Sequence, residues 1–296
     1  MNYQLTVTQW GYKGIFRAMA SPCELLIASD DPKTANAIMI LAVAEAARIE
    51  QKYSRFITNN LVWDINHAQG DLIIIDSETA HLLTFAAQCY QLSDGLFDIS
   101  AGPLMTLWRF DGSGDIPSKD EIDEARARVD FSRVGFTDTE LTLPKGMSLD
   151  FGGIAKEYAV DSVAHQLATQ WPQISILVNF GGDIGCPVAK SSDTSPWQIG
   201  IENPNALDNV AAVLQIRHGA LATSGDTRRF IEKDGLRFGH IIDPRSGNPV
   251  ANAPSSVTVL GPNCVTAGML ATMAMLQGAN AETFLKEQKL NFKVFR

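Results

Sequence analysis

The sequence predicts an α+β protein with mixed or antiparallel sheets and packed helices. Segments of strand character outnumber those of helical periodicity. The two kinds do not alternate one to one, as a doubly wound parallel sheet would require. The composition supplies a core, with 45% of the 296 residues hydrophobic and 19% charged. The 23 glycines and 13 prolines are an ordinary globular complement, which excludes disordered, collagenous and low-complexity classes. Residues 1–296 read as a single domain of two intimately packed halves, with no internal repeat and no linker.

Taken in order, Leu25-Leu26-Ile27-Ala28 is a short apolar run and a buried strand. Asp31-Pro32 then opens a helix over 34–52, where Ile38, Leu41, Ala42, Ala46 and Ile49 recur at helical spacing. A second strand covers 72–75. Ser77 reads as the cap of a helix over 78–92 whose packed face is Leu82, Leu83, Ala86, Cys89 and Tyr90. Residues 111–118, rich in Gly, Asp and Ser, form a surface loop before a charged helix over 119–129. In the second half, strands at 174–179, 197–201, 210–217, 238–242 and 256–260 are separated by glycine-rich turns, and helices cover 154–170 and 265–277.

Charge and targeting narrow the function. A net charge of −9 without a basic cluster suits a nucleic-acid backbone poorly, so nucleic acid is excluded as a partner. The longest apolar run, 35–44, is interrupted by Asn36 and closed by Glu45, too short for a membrane span. The first ten residues lack a charged segment followed by an apolar one. That predicts a cytoplasmic protein, or a periplasmic one if a leader has been removed. Cys23, Cys89, Cys186 and Cys264 lie far apart, without metal-ligand or redox spacing, and read as buried thiols.

Three blocks carry chemistry. In DFGGIAKEYAVD (150–161) a glycine pair opens a helix whose buried face is Ala155, Ala159, Val163, Ala164 and Leu167. Glycines admit a ligand to the backbone, unpaired helix N–H groups attract anions, and Lys156 adds charge in the first turn. The combination suits a phosphate or pyrophosphate; a plain glycine turn with a solvated lysine is the alternative. NFGGDIG (179–185) is a strand entering a tight turn, without the spacing of a dinucleotide fingerprint. In the third block, ATSGD (222–226) is followed by HIIDPRSGNP (240–249). His240, at a strand start, reads as structural, with a base role as the alternative. Asp243-Pro244 and Ser246-Gly247 are turn chemistry. The sequence shows no Ser/His/Asp elbow, HExxH pattern or Cys/His cluster.

The order of these blocks says more than any one of them. Phe97-Asp98 with Gly102-Pro103, DFGGIAKEYAVD, NFGGDI, TSGD (223–226), HIIDPRSGNPV (240–250), VTV (257–259) and AGMLATMAML (267–276) run collinearly. Together, from Met19 to about Gly278, they resemble the ApbE family of FAD:protein FMN transferases. The resemblance implies a flavin cleft between two halves of an α+β fold, with Mg2+ at the flavin's pyrophosphate. It also implies cleavage of FAD, release of AMP, and attachment of FMN through a phosphoester to Thr or Ser of a target flavoprotein.

Position by position, the resemblance makes Met19 a flavin contact and Phe56 a stacking aromatic. Leu96, Phe97 and Asp98 become the ligand-lining segment, Asp150 and Lys156 contact FAD, and Ile242 is the aliphatic of the HxIDP segment. Lys156 is expected to neutralise the pyrophosphate, and Asp226 or Asp243 to take the proton of the attacking hydroxyl. For the metal, the family uses a carbonyl at the position of Gly153, an aspartate and a threonine one turn later; residues i and i+4 share a helix face. The threonine is Thr272, but the aspartate's position holds Gly268, and no other acid lies between Asp243 and Glu282. Magnesium is therefore expected to bind weakly or only with FAD. Glu157, where the family usually has glycine, reads as a solvent-facing helix residue, with a metal role as the alternative. The departure at Gly268 leaves two other readings: a flavin-binding protein without transfer chemistry, and an FAD pyrophosphatase.

Overall fold

A computed structural model describes residues 2–110, 115–190, 195–204, 206–226, 229–233 and 235–296. Eight strands form the main sheet: β1 (Gln4–Thr8), β2 (Gly11–Ala18), β3 (Ser21–Ile27), β4 (Ile176–Phe180), β5 (Asp183–Cys186), β6 (Gly219–Gly225), β7 (Ser256–Gly261) and β8 (Phe292–Phe295). They lie side by side in that order, and every neighbouring pair is antiparallel. The expected α+β class with antiparallel sheets is therefore what the chain adopts. Alternation along β4 explains the layering. Ile176, Val178 and Phe180 face the main core under the helices, while Leu177 points the other way. There it meets Trp197, Ile199 and Ile201 of a hairpin made by Trp197–Asn203 and Ala206–Ile216.

Four helices concern the site: α1 (Pro32–Tyr53), α2 (Ser77–Leu92), α3 (Ala155–Gln170) and α4 (Cys264–Leu276). Helix α1 begins where Asp31 accepts from the backbone N–H groups of Lys33 and Thr34, with Pro32 in the first turn. The cap of α2 is Asp76, not Ser77. Its side chain reaches the Thr79 N–H at 3.0 Å, and Ser77 already lies inside the first turn. Helix α4 is capped twice. Asn263 accepts from Thr266 N–H at 2.8 Å, and Asp161 of α3 accepts from Cys264 and Val265 N–H at 2.7 and 2.8 Å. That second cap fixes the register of α3 against α4.

Three expectations change. The strand expected over 238–242 is broken at His240: Leu236–Gly239 pairs with Phe230–Lys233, and Ile242–Asp243 pairs with Asn248–Pro249. The charged helix ends at Arg126, after a capping box between Ser118 and Glu121. Strands β1 and β2 were not apparent in the sequence. Of the expected loop at 111–118, residues 111–114 lie outside the described residues. All four cysteines are buried and free. Among the described residues no helix is long and apolar enough to cross a membrane.

Candidate functional site

A cleft of about 2070 Å³, larger than the usual range for a drug-sized ligand, is lined by residues from both faces of the sheet. Its lining brings together Met19, Phe56, Leu96, Phe97, Asp98, Asp150, Gly153, Lys156, Ile242, Gly268 and Thr272. Asp226 and Asp243 are not in that lining. Arg237 pairs with Asp226 at 3.3 Å and Arg245 with Asp243 at 3.2 Å.

At one end the chain is strained. Met19 and Ala20 both have positive φ, +50° and +56°, in the two-residue turn joining β2 to β3. Such turns favour Asn or Gly, so the methionine is held there by the sheet on both sides. Opposite, the end of α1 delivers Arg55 and Phe56. Arg55 pairs with Asp150 at 2.9 Å, and its guanidinium lies 4.4 Å over the Phe56 ring. The ring itself is 81% exposed. Asp150 also accepts from Gly152 N–H at 2.8 Å, holding the glycine turn. Arg55 thus links two expected ligand residues, a role with no signal in the sequence. Asp98 is a backbone acceptor, taking Ser100 N–H at 2.7 Å and Phe131 N–H at 3.2 Å.

The floor is ionic. Lys156 Nζ sits 2.5 Å from Asp183, which is 1% exposed. Burial pulls the Lys156 pKa down, but the charges of Asp183 and Glu157 outweigh it, so the ammonium is held above its ordinary value. Asp183 comes from the NFGGDI block. Gly181 and Gly182 take φ of +65° and +100° there, a path open to glycine, and Gly182 N–H donates to Asn179 at 2.8 Å. The glycine turn therefore serves to place the lysine's counter-ion.

Glu157 corrects the sequence reading. It does not face solvent: it is 8% exposed, lines the cleft, and its Oε2 has no hydrogen-bond partner among the described residues. The reason is α4, which packs on α3 where Gly268 leaves space. A Cβ on Gly268 would stand 2.5 Å from Glu157 Cγ and 2.8 Å from its Oε1. Burial pushes the Glu157 carboxyl up to about 8, with Asp183 adding to the shift and Lys156 opposing it. One turn on from Gly268, Thr272 donates to Ser224 Oγ at 3.4 Å. Among the described residues no group of three or more His, Cys, Asp or Glu is arranged to hold a metal.

His240 also lines the cleft, at the break between the two short hairpins. Its Nδ1 lies 3.2 Å from the Arg229 carbonyl. Burial, then the Arg229 charge, lowers its pKa to about 4, so the ring is neutral near pH 7. With Nδ1–H donating to that carbonyl, Nε2 is the acceptor nitrogen.

Comparison with known proteins agrees with this arrangement. The ApbE family profile matches residues 19–295. The chain is 33% identical over 218 residues to an FAD:protein FMN transferase of Vibrio cholerae, covering 72% of this chain and 64% of the relative. It is 33% identical over 234 residues to one from Haemophilus influenzae, covering 75% and 66%. The match thus spans just under two thirds of the length of these two relatives. Among solved structures, the ApbE protein of Thermotoga maritima superposes with a TM-score of 0.86 at 28% identity, covering 99% of this chain and 94% of that one. The apo flavinyl transferase ApbE of Pseudomonas stutzeri does so with 0.84 at 26%, covering 99% and 91%.

Proposed function

The chain belongs to the ApbE family, and on that premise we propose that it is an FAD:protein FMN transferase acting on a flavoprotein that presents a threonine or serine. The observation that carries the reading is Lys156, charged and fixed by buried Asp183 in the first turn of a glycine-opened helix, at the floor of a large cleft. A pyrophosphate laid there meets a helix N-terminus and an oriented ammonium. Met19, Phe56, Leu96, Phe97 and Ile242 offer apolar contact to the flavin end. Arg55 and Asp150 order the turn beneath it.

In the reaction the acceptor hydroxyl attacks the phosphorus on the FMN side of the pyrophosphate. The bond from that phosphorus to the bridging oxygen breaks, AMP leaves, and the hydroxyl proton goes to a base. We assign that base to His240 Nε2. Its ring is oriented through Nδ1 on the Arg229 carbonyl and lines the cleft. Asp226 and Asp243, the acids suggested by the sequence, are engaged by arginines outside the cleft lining.

The residues also fit a hard divalent cation such as Mg2+. Gly153, Thr272 and Glu157 line the cleft, offer oxygen donors only, and include a buried carboxyl oxygen without a partner. A bound cation there supplies charge neutralisation on the pyrophosphate. The test is incubation with FAD, Mg2+ and a candidate acceptor protein, reading the acceptor's mass and the AMP released. Transfer gives one FMN phosphoester per AMP. AMP without a mass gain indicates hydrolysis to FMN. FAD binding without AMP indicates a flavin-binding protein. No FAD binding at all sinks the reading.

A further inference from the structure

We infer that Glu157 supplies from α3 the carboxylate that position 268 of α4 lacks, so that the cation site of this chain takes its acid from the neighbouring helix. The inference rests on the flavin-transferase reading and deepens it. Three observations carry it. The first is exclusion in space. A Cβ on Gly268 would stand 2.5 Å from Glu157 Cγ, 2.8 Å from Oε1 and 3.0 Å from Cδ. All three nearest atoms belong to one side chain, so the Glu157 carboxyl occupies the volume into which an aspartate at 268 would extend. One site can hold one of these two side chains, and this chain holds the glutamate.

The second observation is the carboxyl's condition. Glu157 is 8% exposed, its Oε2 has no partner among the described residues, and it lines the cleft. A buried carboxyl oxygen left unpaired is costly. Its neighbour Lys156 does not pair with it, because that ammonium sits on Asp183 at 2.5 Å. Lys156 acts on Glu157 through its charge alone, and Oε2 is left without a direct partner among the described residues.

The third is register. Asp161 of α3 accepts from Cys264 and Val265 N–H at the start of α4. One turn back from Asp161 is Glu157, and one turn on from Cys264 is Gly268. The cap therefore sets Glu157 opposite Gly268. Gly153, in the turn just before α3, and Thr272, a further turn on along α4, line the same cleft and offer a carbonyl and a hydroxyl. In this reading the acid comes from across the helix–helix contact, while the carbonyl and hydroxyl come from Gly153 and Thr272.

The experiment titrates Mn2+ into FAD-saturated protein and reads free Mn2+ by electron paramagnetic resonance. FAD affinity is measured separately in EDTA by flavin fluorescence. Three proteins are compared: wild type, Glu157→Gln, and the exchange Glu157→Ala/Gly268→Asp. Glu157→Gln should weaken Mn2+ binding at least tenfold while FAD affinity in EDTA stays within about twofold; a tenfold change corresponds to about 1.4 kcal/mol. The exchange should recover Mn2+ affinity to within about threefold of wild type. Equal Mn2+ affinity in wild type and Glu157→Gln overturns the inference while leaving flavin binding intact, and so does an FAD-loaded wild type that takes up no Mn2+. If Glu157→Gln does not fold, the exchange decides alone, recovered binding supporting the inference and absent binding overturning it. A wild type that binds FAD neither with nor without metal removes the flavin reading itself, and this inference with it.

Discussion

The packing of Glu157 against Gly268 has a consequence for stability that needs neither metal nor flavin. In an ordinary helix interior, Gly→Ala stabilises by about 1 kcal/mol. Gly268 lies in the middle of α4 with no left-handed backbone to forbid a side chain, so propensity alone predicts a gain. The structure predicts a loss instead. The added methyl would sit 2.5 Å from Glu157 Cγ, about 1–1.5 Å inside the carbon–carbon optimum of about 3.5–4.0 Å. Overpacking of this kind costs about 1–3 kcal/mol. The clean measurement is a double-mutant cycle with Glu157→Ala, which removes the offending Cγ. In that background Gly268→Ala should recover its gain of about 1 kcal/mol, and the coupling should equal the clash, about 1–3 kcal/mol. Glu157→Gln keeps the Cγ and should keep the penalty. Urea unfolding in EDTA without flavin avoids ligand linkage. A coupling below about 0.5 kcal/mol, with Gly268→Ala stabilising both backgrounds alike, would refute the assigned packing.

Three further outcomes follow from the same site. Lys156→Ala should weaken FAD binding by about 1.5–3 kcal/mol, or roughly 10- to 150-fold, while riboflavin affinity holds; equal losses for both ligands would show that the lysine does not address the pyrophosphate. Phe56→Ala should leave unfolding within about 0.5 kcal/mol of wild type, because the ring is 81% exposed, yet weaken flavin binding by about 0.5–1.5 kcal/mol in fluorescence titration; unchanged affinity would remove the ring from the site. His240, at about 4 in the folded protein against 6.5 as a free group, binds fewer protons folded than unfolded within that window. It therefore makes stability fall as pH drops through it, by up to about 1.4 kcal/mol per pH unit. His240→Asn should flatten that part of the profile, and an unaltered slope would count against the burial of the ring.

Much of the fold was legible because helices and central strands announce themselves by apolar spacing. The helices at 34–52 and 154–170 and the strand at 174–179 fall within a residue or two of α1, α3 and β4. The first two strands were hidden for physical reasons. β1 is an edge strand with no buried position, so no face of it needed apolar residues. In β2 the buried positions are Gly11, Gly14, Phe16 and Ala18, since Met39 of α1 fills the space a side chain at Gly14 would occupy. A face with Phe16 as its single large apolar side chain carries almost no periodic signal. The break at His240 was hidden too, because Phe238, Ile241 and Ile242 keep an apolar pattern across two different hairpins.

The site was legible as a set of segments and illegible as a volume. Collinear blocks named Met19, Phe97, Asp150, Lys156 and Thr272, all of which line one cleft. They gave no means of seeing that Asp183 belongs to Lys156 or that Arg55 belongs to Asp150, since each pair joins residues from separate blocks. Gly268 shows the limit most clearly. Reading along α4 asks whether an acid stands at one position and finds none. The position is bordered by two helices, and the carboxyl beside it comes from the other one. Once Asp161 locks α3 to α4, the Glu157 side chain fills the volume that a side chain at 268 would need. Read along its own helix each residue is an isolated feature; read across the contact, the glycine at 268 explains how the glutamate at 157 is accommodated.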